Sequence, residues 1–400
     1  MDPIRNPFAP GAGTQPPELA GRERLIEDAR ITLERTKQGR AAKSQLLLGL
    51  RGVGKTVLLN RLARLAQETA FETVVIEAPE DQALAALLVP RLRSLLFKMG
   101  SSAKAADLAK RALGVLRAFA KAFKVKVGDV EFTVDAQIGT ADSGDLEADL
   151  PELLIEVTRA TRSSGTALAL FLDEVQYLSA ADLTALITAV HKLGQQELPF
   201  AMFGAGLPQL AALAGNAKSY SERLFAYPEV GALGEEFAIE AIRAPVLREG
   251  VDIEQEALVR IATKTKGYPY FLQEWGKHAW NAASGSPIKA SDVEVASVQA
   301  LAELDKGFFR VRLDRLTPRE KTYMRAMAHL GPGPHRSGDI AKALRRKVSA
   351  VAPLRNGLLK KGMIYSPAHG DTAFTVPMFD EFMRRSMPNW SPKAAGRRGK

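Results

Sequence analysis

The chain has 400 residues, a hydrophobic content of 46%, no cysteine and a formal net charge of +10. This length predicts two or three domains, and the absence of cysteine excludes disulfides, thiolate zinc sites and cysteine nucleophiles. No apolar run is long enough to cross a membrane, and the first 17 residues lack the apolar segment of a signal peptide. We therefore expect a cytoplasmic protein without a membrane partner.

The excess positive charge lies near the end of the chain. Residues 341–400 contain 13 Lys and Arg but 3 Asp and Glu, whereas residues 1–340 contain 42 of each sign. A localised basic segment is typical of proteins that bind polyanions. The alternative is a solubilising tail, because the last residues, AAGRRGK, have the composition of a disordered segment.

The first 230 residues predict an arm followed by an α/β domain. Residues 1–17 contain five prolines and are predicted to form a flexible arm. From residue 18 to 230, short apolar runs alternate with helical patterns, which predicts a P-loop-type, doubly wound parallel sheet. The predicted strands are residues 44–50, 73–79, 166–174 and 199–206. Residues 102–145 are predicted to be an insertion, with a basic amphipathic helix that we expect to pack on the protein itself and a β-hairpin at 124–138.

The alternation of strands and helices ends near Pro228. Residues 231–305 show only helical patterns, and residues 306–390 show helices followed by an apparent hairpin at 363–377. Residues 391–400 form a basic tail. The chain is thus predicted to contain an α/β domain, a helical region and a small C-terminal module.

The segment GLRGVGKT fits the phosphate-binding pattern G-x-x-x-x-G-K-[ST] without departures. Its glycines let backbone N–H groups surround phosphate oxygens, and the following helix directs its positive end at the anion. Lys55 is predicted to reach the β- and γ-phosphates of ATP, and the Thr56 hydroxyl to bind Mg²⁺. The candidate nucleotide contacts in this segment are Gly49, Gly52, Val53, Gly54, Lys55, Thr56 and Val57.

The segment LALFLDE predicts the second half of the site. Asp173 follows a run of aliphatic residues, so we expect it at the carboxyl end of a strand next to the P-loop strand, where it would hold Mg²⁺ through water. Glu174 follows and is placed to act as the general base on the attacking water. The alternative is an acidic cap at a strand end.

These motifs together resemble the AAA+/STAND group of ATPases, and within it the origin-recognition-type and archaeal-type proteins. The resemblance covers about residues 15–285. It implies that Gly21, in LAGRERLIE, lets the chain pass close to adenine and that Arg22 or Glu23 anchors it. It also implies that Gly267-Tyr268-Pro269 belongs to a helical lid in which Pro269 contacts the base. Plain helix starts are the alternative for both segments.

Three further positions bear on the resemblance. It would make Arg223 an arginine finger that acts in cis or on a neighbouring copy of the chain, and the alternative is a solvated helix arginine. Gly204-Ala205-Gly206 stands where many members have a polar sensor residue. The lid helix also lacks the arginine that many members direct at the γ-phosphate, and both departures suggest slow turnover.

The C-terminal module resembles a winged helix, with three helices and a hairpin, and Thr317 is predicted to cap the first helix. Its third helix, VSAVAPLRNGLLKKG, would be the recognition helix in a DNA major groove. The candidate contacts to DNA are Arg345, Arg346, Lys347, Ser349, Arg355, Asn356, Lys360 and Lys361. Winged helices that bind only proteins are the alternative.

The sequence therefore predicts an ATP- and Mg²⁺-dependent ATPase that couples nucleotide state to double-stranded DNA binding. Copies of the chain are also expected to be able to form a homo-oligomer. A signalling switch whose winged helix contacts a protein partner is the main alternative, and a mobile-element or defence ATPase fits the same domains. The histidines show no metal-ligand spacing, so no metal beyond Mg²⁺ is predicted.

Overall fold

The computed structural model describes residues 1–11, 13–80, 82–99, 103–125 and 134–391. Most of the hairpin predicted at 124–138 and nearly all of the basic tail predicted at 391–400 lie outside these residues. Within them, no helix combines the length and the apolar composition needed to cross a bilayer.

A five-stranded parallel sheet forms the centre of the first half of the chain, in the order β2-β3-β4-β1-β5. The strands are β1 (Ser44–Leu48), β2 (Phe71–Glu77), β3 (Ala167–Asp173), β4 (Phe200–Gly206) and β5 (Phe225–Ala226). The four predicted strands and their parallel arrangement are confirmed. The two-residue β5 was not predicted, because it is too short to produce a period of its own.

Eight helices of the described residues accompany this sheet. They are α1 (Glu23–Lys37), α2 (Lys55–Glu68), α3 (Leu84–Lys98), α4 (Ala103–Ala122), α5 (Leu146–Ser163), α6 (Ala180–Gln195), α7 (Leu210–Ala217) and α8 (Ser221–Leu224). Alternate strand residues face opposite sides of a sheet. Leu47 accordingly packs with α1 and α2, whereas Leu46 and Leu48 share a core with α3 to α7.

The basic helix of the predicted insertion is α4, and it packs on the protein itself. Its apolar face, which includes Leu113, Leu116 and Phe119, is buried in the core shared with α3 and α5. The prediction of self-packing is therefore confirmed, because burying this face against the neighbouring helices removes a large apolar area from water. Arg111 of α4 pairs with Glu156 of α5 at 2.8 Å.

The second half of the chain contains a helical region and then a small mixed module, which share one hydrophobic core. The helical region comprises α9 (Glu235–Arg248), α10 (Gln255–Thr265), α11 (Pro269–Ala282), α12 (Ala290–Leu304), a π-helical segment (Asp305–Phe309) and α13 (Arg310–Asp314). The module comprises α14 (Pro318–Leu330), β6 (His335–Arg336), α15 (Ser337–Ala343), α16 (Val348–Lys360), β7 (Ile364–Tyr365), β8 (Asp371–Phe374) and α17 (Phe379–Ser386).

The module combines its helices with an antiparallel sheet in the order β6-β8-β7. The predicted hairpin is confirmed as β7 and β8. Thr317 also caps α14 as predicted, since its side chain accepts a hydrogen bond from the Glu320 N–H and Glu320 accepts one from the Thr317 N–H. Strand β6 was not predicted, because its residues follow a Gly-Pro loop and show no alternation.

The N-terminal arm lies against the helical region. Phe8 is buried beside Gly276 of α11, and the Asn6 amide donates to the Lys277 carbonyl oxygen at 3.0 Å. The Trp280 indole N–H donates to the Asp2 carbonyl oxygen at 2.8 Å. The arm has little regular structure, in keeping with its prolines, and these contacts hold its first residues in place.

Candidate nucleotide and nucleic-acid sites

The P-loop turns sharply between β1 and α2. Gly52 and Gly54 have positive φ angles of 82° and 89°, a conformation that side chains disfavour. Gly49 is constrained differently, since a Cβ at this position would collide with the Val230 carbonyl oxygen. Helix α2 begins at Lys55, so its free N–H groups and positive dipole end face the loop. The loop is a cradle suited to phosphate oxygens.

Lys55 and Thr56 are the first two residues of α2. The Lys55 side chain is buried and its Nζ donates to the Leu50 carbonyl oxygen at 2.9 Å. Burial lowers the pKa of Lys55, and the carboxylates of Glu174 and Asp173 oppose that effect. Thr56 Oγ1 donates to Asp173 Oδ2 at 2.5 Å. The hydroxyl and the carboxylate therefore form a pair of oxygen ligands of the type that Mg²⁺ prefers.

Asp173 and Glu174 end strand β3 at the same edge of the sheet as the P-loop. Burial raises the pKa of Asp173, whereas the hydrogen bond from Thr56 opposes that rise. Glu174 adopts a left-handed conformation with φ of 53°, which is strained for a residue with a side chain. This conformation turns the chain out of the strand and leaves the Glu174 carboxylate partly exposed within the pocket, 4.0 Å from the Arg51 guanidinium.

The expectation that Asp173 lies on the strand next to the P-loop strand was wrong, because β4 runs between β1 and β3. The end of β4 passes close to both motifs, and the Gly206 carbonyl oxygen accepts from the Gly49 N–H at 3.1 Å. A Cβ at Gly206 would lie 2.6 Å from Gln176 Oε1. The small residues at the end of β4 thus leave room for the Gln176 side chain.

Gln176 supplies the polar group that the sequence of β4 lacks. Its Nε2 donates to the Glu174 carboxylate, and its Oε1 accepts from the Leu207 N–H at 3.1 Å. Gln176 therefore links Glu174 to the end of β4. The sequence contains little warning of this role, because Gln176 lies in the turn after the Asp-Glu pair and not on the strand where a polar residue is expected.

A cavity of about 400 Å³ opens beside the P-loop. Such a volume lies within the range of small-molecule sites. Residues of the P-loop line it from Arg51 to Val57, and Glu174 lies at the same wall. Thr14 and other residues of the N-terminal arm cover part of it, and Gly13 would place a Cβ 3.4 Å from Thr56 Cγ2. The arm's part in the cavity was not predicted.

The predicted base-binding residues lie partly at this cavity. Arg22 and Pro269 line it, whereas Gly21 lies behind, packed on Phe237 with φ of 70°. The Arg22 guanidinium donates to the carbonyl oxygens of Val53 and Gly231, at 3.2 Å and 2.5 Å. Burial lowers the pKa of Arg22. Arg22 thus holds the P-loop against the start of the helical region.

Arg223 is exposed on α8 and is not among the residues that line the cavity. The structure therefore does not bring it to the P-loop of its own chain. An arginine-finger role in cis has no geometric support, and only the role on a neighbouring copy stays a prediction.

The predicted DNA contacts divide into two groups. Six are exposed along α16 and the turn before it, and they form the basic face: Arg345, Arg346, Lys347, Ser349, Asn356 and Lys360. Ser349, Asn356 and Lys360 are spaced by seven and four residues, so they lie on one face of the helix. This part of the prediction has the exposure that contact with a partner requires.

Arg355 and Lys361 are engaged within the module instead. The Arg355 guanidinium donates to Thr372 Oγ1, Ser366 Oγ and the Asp371 carbonyl oxygen, each at 2.9 Å. Lys361 Nζ donates to Glu320 Oε2 at 2.7 Å. Both cations are satisfied by intramolecular bonds, so they are poorly placed as free DNA contacts.

The helical region contains a group of side chains of the types that bind metal ions. Glu274, His278 and Glu303 bring three such atoms within 4.8 Å of one another. His278 Nε2 lies 3.0 Å from a Glu303 carboxylate oxygen, and the Tyr270 hydroxyl donates to Glu274 Oε1 at 3.1 Å. These internal bonds account for most of the cluster, although Glu274 Oε2 is buried without a hydrogen-bond partner among the described residues.

Family profiles match two separate parts of the chain. Residues 18–203 match the AAA ATPase domain. This match spans the P-loop and Asp173-Glu174, and the five-stranded parallel sheet agrees with it. Residues 306–383 match a domain of unknown function, DUF8462, which corresponds to α13 and most of the C-terminal module.

Solved structures similar to this chain include a Walker-type ATPase of Pyrococcus abyssi. It is 18% identical, with 93% of this chain and 97% of that chain covered and a TM-score of 0.59, which shows a shared fold. A second similar structure is the ORC1 protein of Aeropyrum pernix in complex with DNA, with 14% identity, 95% of this chain and 96% of that chain covered, and a TM-score of 0.48. A third is the Thermotoga maritima RuvB Holliday junction branch migration motor, with 16% identity, 95% of this chain and 100% of that chain covered, and a TM-score of 0.44. A search of curated protein sequences finds no match.

Proposed function

We propose that the protein binds and hydrolyses ATP with Mg²⁺ and uses the nucleotide to control duplex DNA binding by its C-terminal module. The observation that carries the ATPase part is the Thr56–Asp173 contact of 2.5 Å at the first turn of α2. It joins the P-loop to the acidic end of β3, although 117 residues separate the two in sequence. Two motifs that are independent in sequence thus meet at one point.

The geometry supports the following proposed roles. P-loop N–H groups and Lys55 hold the phosphates, while Thr56 and Asp173 supply oxygen ligands for Mg²⁺, which neutralises charge on the phosphates when bound. Arg22 and Pro269 are proposed to line the base end of the cavity. Glu174 orients the attacking water and accepts its proton.

The surroundings of Glu174 favour slow turnover. Gln176 donates a hydrogen bond to the carboxylate, and Arg51 lies 4.0 Å away. Both contacts engage the carboxylate oxygens that the attacking water would have to approach. Turnover then requires Glu174 to exchange at least one of these partners for the attacking water.

The C-terminal module is proposed to be a winged helix, with α16 as its recognition helix and β7-β8 as its wing. The exposed Arg345, Arg346 and Lys347 precede the helix and are suited to phosphates, whereas Ser349 and Asn356 on the helix are suited to base edges. Arg223 is proposed to act on a neighbouring copy if DNA gathers several copies. A protein partner on the same face is the alternative.

The test is duplex DNA binding measured by fluorescence anisotropy across a salt series, with ADP and then with a non-hydrolysable ATP analogue. We expect steeply salt-dependent binding that differs between the two nucleotides. Replacing Arg345, Arg346 and Lys347 with Ala should reduce the slope of log K against log salt by about 0.9 for each phosphate that is no longer neutralised. Absence of binding at low salt in both states would remove the DNA role.

A matched control uses exposed basic residues of the AAA domain. Replacing Arg64, Arg91 and Lys98 with Ala removes the same charge from α2 and α3. If the basic face binds DNA, this control should keep most of the affinity and of the salt slope. Equal decreases in both triple variants would indicate nonspecific attraction to net charge and would contradict the proposed interface.

A further inference from the structure

Arg312 of α13 reaches the nucleotide cavity from outside the matched AAA domain. It lines the cavity together with Lys55 and Glu174, although 257 residues separate it from the P-loop lysine. No sequence pattern selects it, because it lies in the last short helix of the helical region, just before the C-terminal module. Its position is a product of the tertiary fold.

The Arg312 guanidinium has no carboxylate partner among the described residues. It lies 4.0 Å over the Phe308 ring and donates to the Phe308 carbonyl oxygen at 2.5 Å. Burial, and then the charge of Arg51, lower the pKa of Arg312 to about 10. A partly buried cation next to other cations is electrostatically unfavourable unless an anion joins it.

Aromatic packing fixes Arg312 relative to the P-loop. Phe308 stacks on Tyr270 with ring centroids 4.7 Å apart, and the Tyr270 N–H donates to the Gly52 carbonyl oxygen at 3.1 Å. The arginine is thus connected to the phosphate cradle through two rings and one backbone hydrogen bond. Pre-organised cations of this kind bind an anion with little further ordering.

The region that contains Arg312 also touches the P-loop at a second point. The Arg51 N–H donates to the Thr375 carbonyl oxygen at 3.0 Å, and a Cβ at Gly362 would lie 2.8 Å from the Arg51 guanidinium. Thr375 and Gly362 flank the β7-β8 hairpin. Residues 306–383 therefore contact the nucleotide site through both Arg312 and the base of the hairpin.

We propose that Arg312 binds the terminal phosphate of a nucleoside triphosphate, so that the contact of α13 with the P-loop distinguishes ATP from ADP. This inference rests on the proposed nucleotide site. An arginine offers a planar set of N–H donors that matches phosphate oxygens, and the terminal phosphate adds the anionic partner that Arg312 lacks among the described residues. Binding it would hold α13 and the module on the P-loop, and ADP would leave Arg312 without that anion.

Isothermal titration of the Arg312→Met variant with Mg²⁺ and either ADP or a non-hydrolysable ATP analogue tests the proposal. Met retains a long side chain over Phe308 but removes the charge. We expect affinity for the analogue to fall about tenfold or more, and affinity for ADP to stay within about twofold. Arg315→Met is the matched control, because Arg315 lies three residues further on and pairs with the exposed Glu80.

Hydrogen exchange gives a second readout that a purely structural role would not change. In the wild type, the ATP analogue should protect amides near Gly362 and Thr375 more than ADP does, and Arg312→Met should remove that difference. Equal decreases in affinity for both nucleotides, or no decrease for either, would overturn the role of Arg312 while leaving the nucleotide site intact. A wild-type protein that binds neither nucleotide would instead overturn the nucleotide site itself.

Discussion

The nucleotide cavity and the basic face of α16 both concentrate positive charge, but they do so in different ways. Two cations of the cavity, Arg51 and Lys55, belong to the P-loop, whereas Arg312 comes from a distant part of the chain, and all three are partly or fully buried. Those of the basic face are close in sequence and exposed. Convergence of buried cations specifies an anion and its geometry, because desolvated charges interact strongly. Exposed cations that are close in sequence can face any polyanion or simply solvent, so they do not specify a ligand.

The largest effect should follow from Lys55→Ala, which removes the buried cation of the cavity. We expect binding of ATP to be lost at micromolar protein, since the cradle loses its central charge. Titration with a fluorescent ATP analogue measures this, and Lys98→Ala, an exposed lysine of α3, is the control. Tight binding retained by a folded Lys55→Ala protein would show that the cavity does not use the P-loop as proposed.

Glu174→Gln separates binding from chemistry at the same cavity. We expect nucleotide affinity to change little and turnover to fall by about 10²–10⁴-fold, the usual contribution of a general base. Phosphate release under single-turnover conditions measures the chemical step. The amide keeps the shape of the side chain and still reaches Gln176. Turnover at the wild-type rate would exclude Glu174 as the base and shift attention to another water-positioning residue.

Arg355→Ala tests the difference between a free cation and a structural one within the C-terminal module. Its three hydrogen bonds tie α16 to the β7-β8 hairpin. We expect a decrease in unfolding free energy on the order of 2 kcal/mol, as for a part-buried charged hydrogen-bonded group.

Chemical denaturation with Arg346→Ala as the control measures this difference. Arg346 is exposed in the turn before α16, so its removal should leave stability within about 0.5 kcal/mol. A stable Arg355→Ala variant with weakened DNA binding would contradict the structural role and return Arg355 to the set of DNA contacts.

The same contrast explains what the sequence can predict. Gly49 to Thr56 and Asp173-Glu174 are local motifs whose spacing encodes their chemistry, so both can be located from the sequence alone. Strands β1, β3 and β4 are predictable because buried parallel strands are rich in consecutive apolar residues. Arg312 and Gln176 carry no local signal, since their roles depend on which segments pack together.

Strand order is not predictable either. The apolar runs show that a parallel sheet exists, but they do not show that β4 separates the P-loop strand from the strand of Asp173. The sequence also cannot distinguish Arg355 from Arg345, because both are arginines of the same basic segment. Only the fold shows that hydrogen bonds within the module occupy the first while the second is exposed.

The smallest effect concerns a buried acid of the helical region. Glu274 of α11 is 4% exposed, accepts a hydrogen bond from Tyr270, and faces His278 and, more distantly, Lys277 and Glu303. Burial raises the pKa of Glu274. The folded state then holds the proton more tightly than the unfolded chain, so stability falls as pH rises from about 4.3, the unfolded value, through the raised folded pKa.

Glu274→Gln should therefore stabilise the protein at pH 7.5, by on the order of 2 °C in melting temperature, and the gain should vanish as pH falls toward about 4.5. Glu294→Gln is the control, because the pKa of Glu294 is shifted in the opposite direction. Hydrogen bonds from Lys264 and Arg260 lower the pKa of the exposed Glu294, so its replacement should give no gain at neutral pH. A gain for Glu274→Gln that does not depend on pH would indicate improved packing instead of relief of a buried charge.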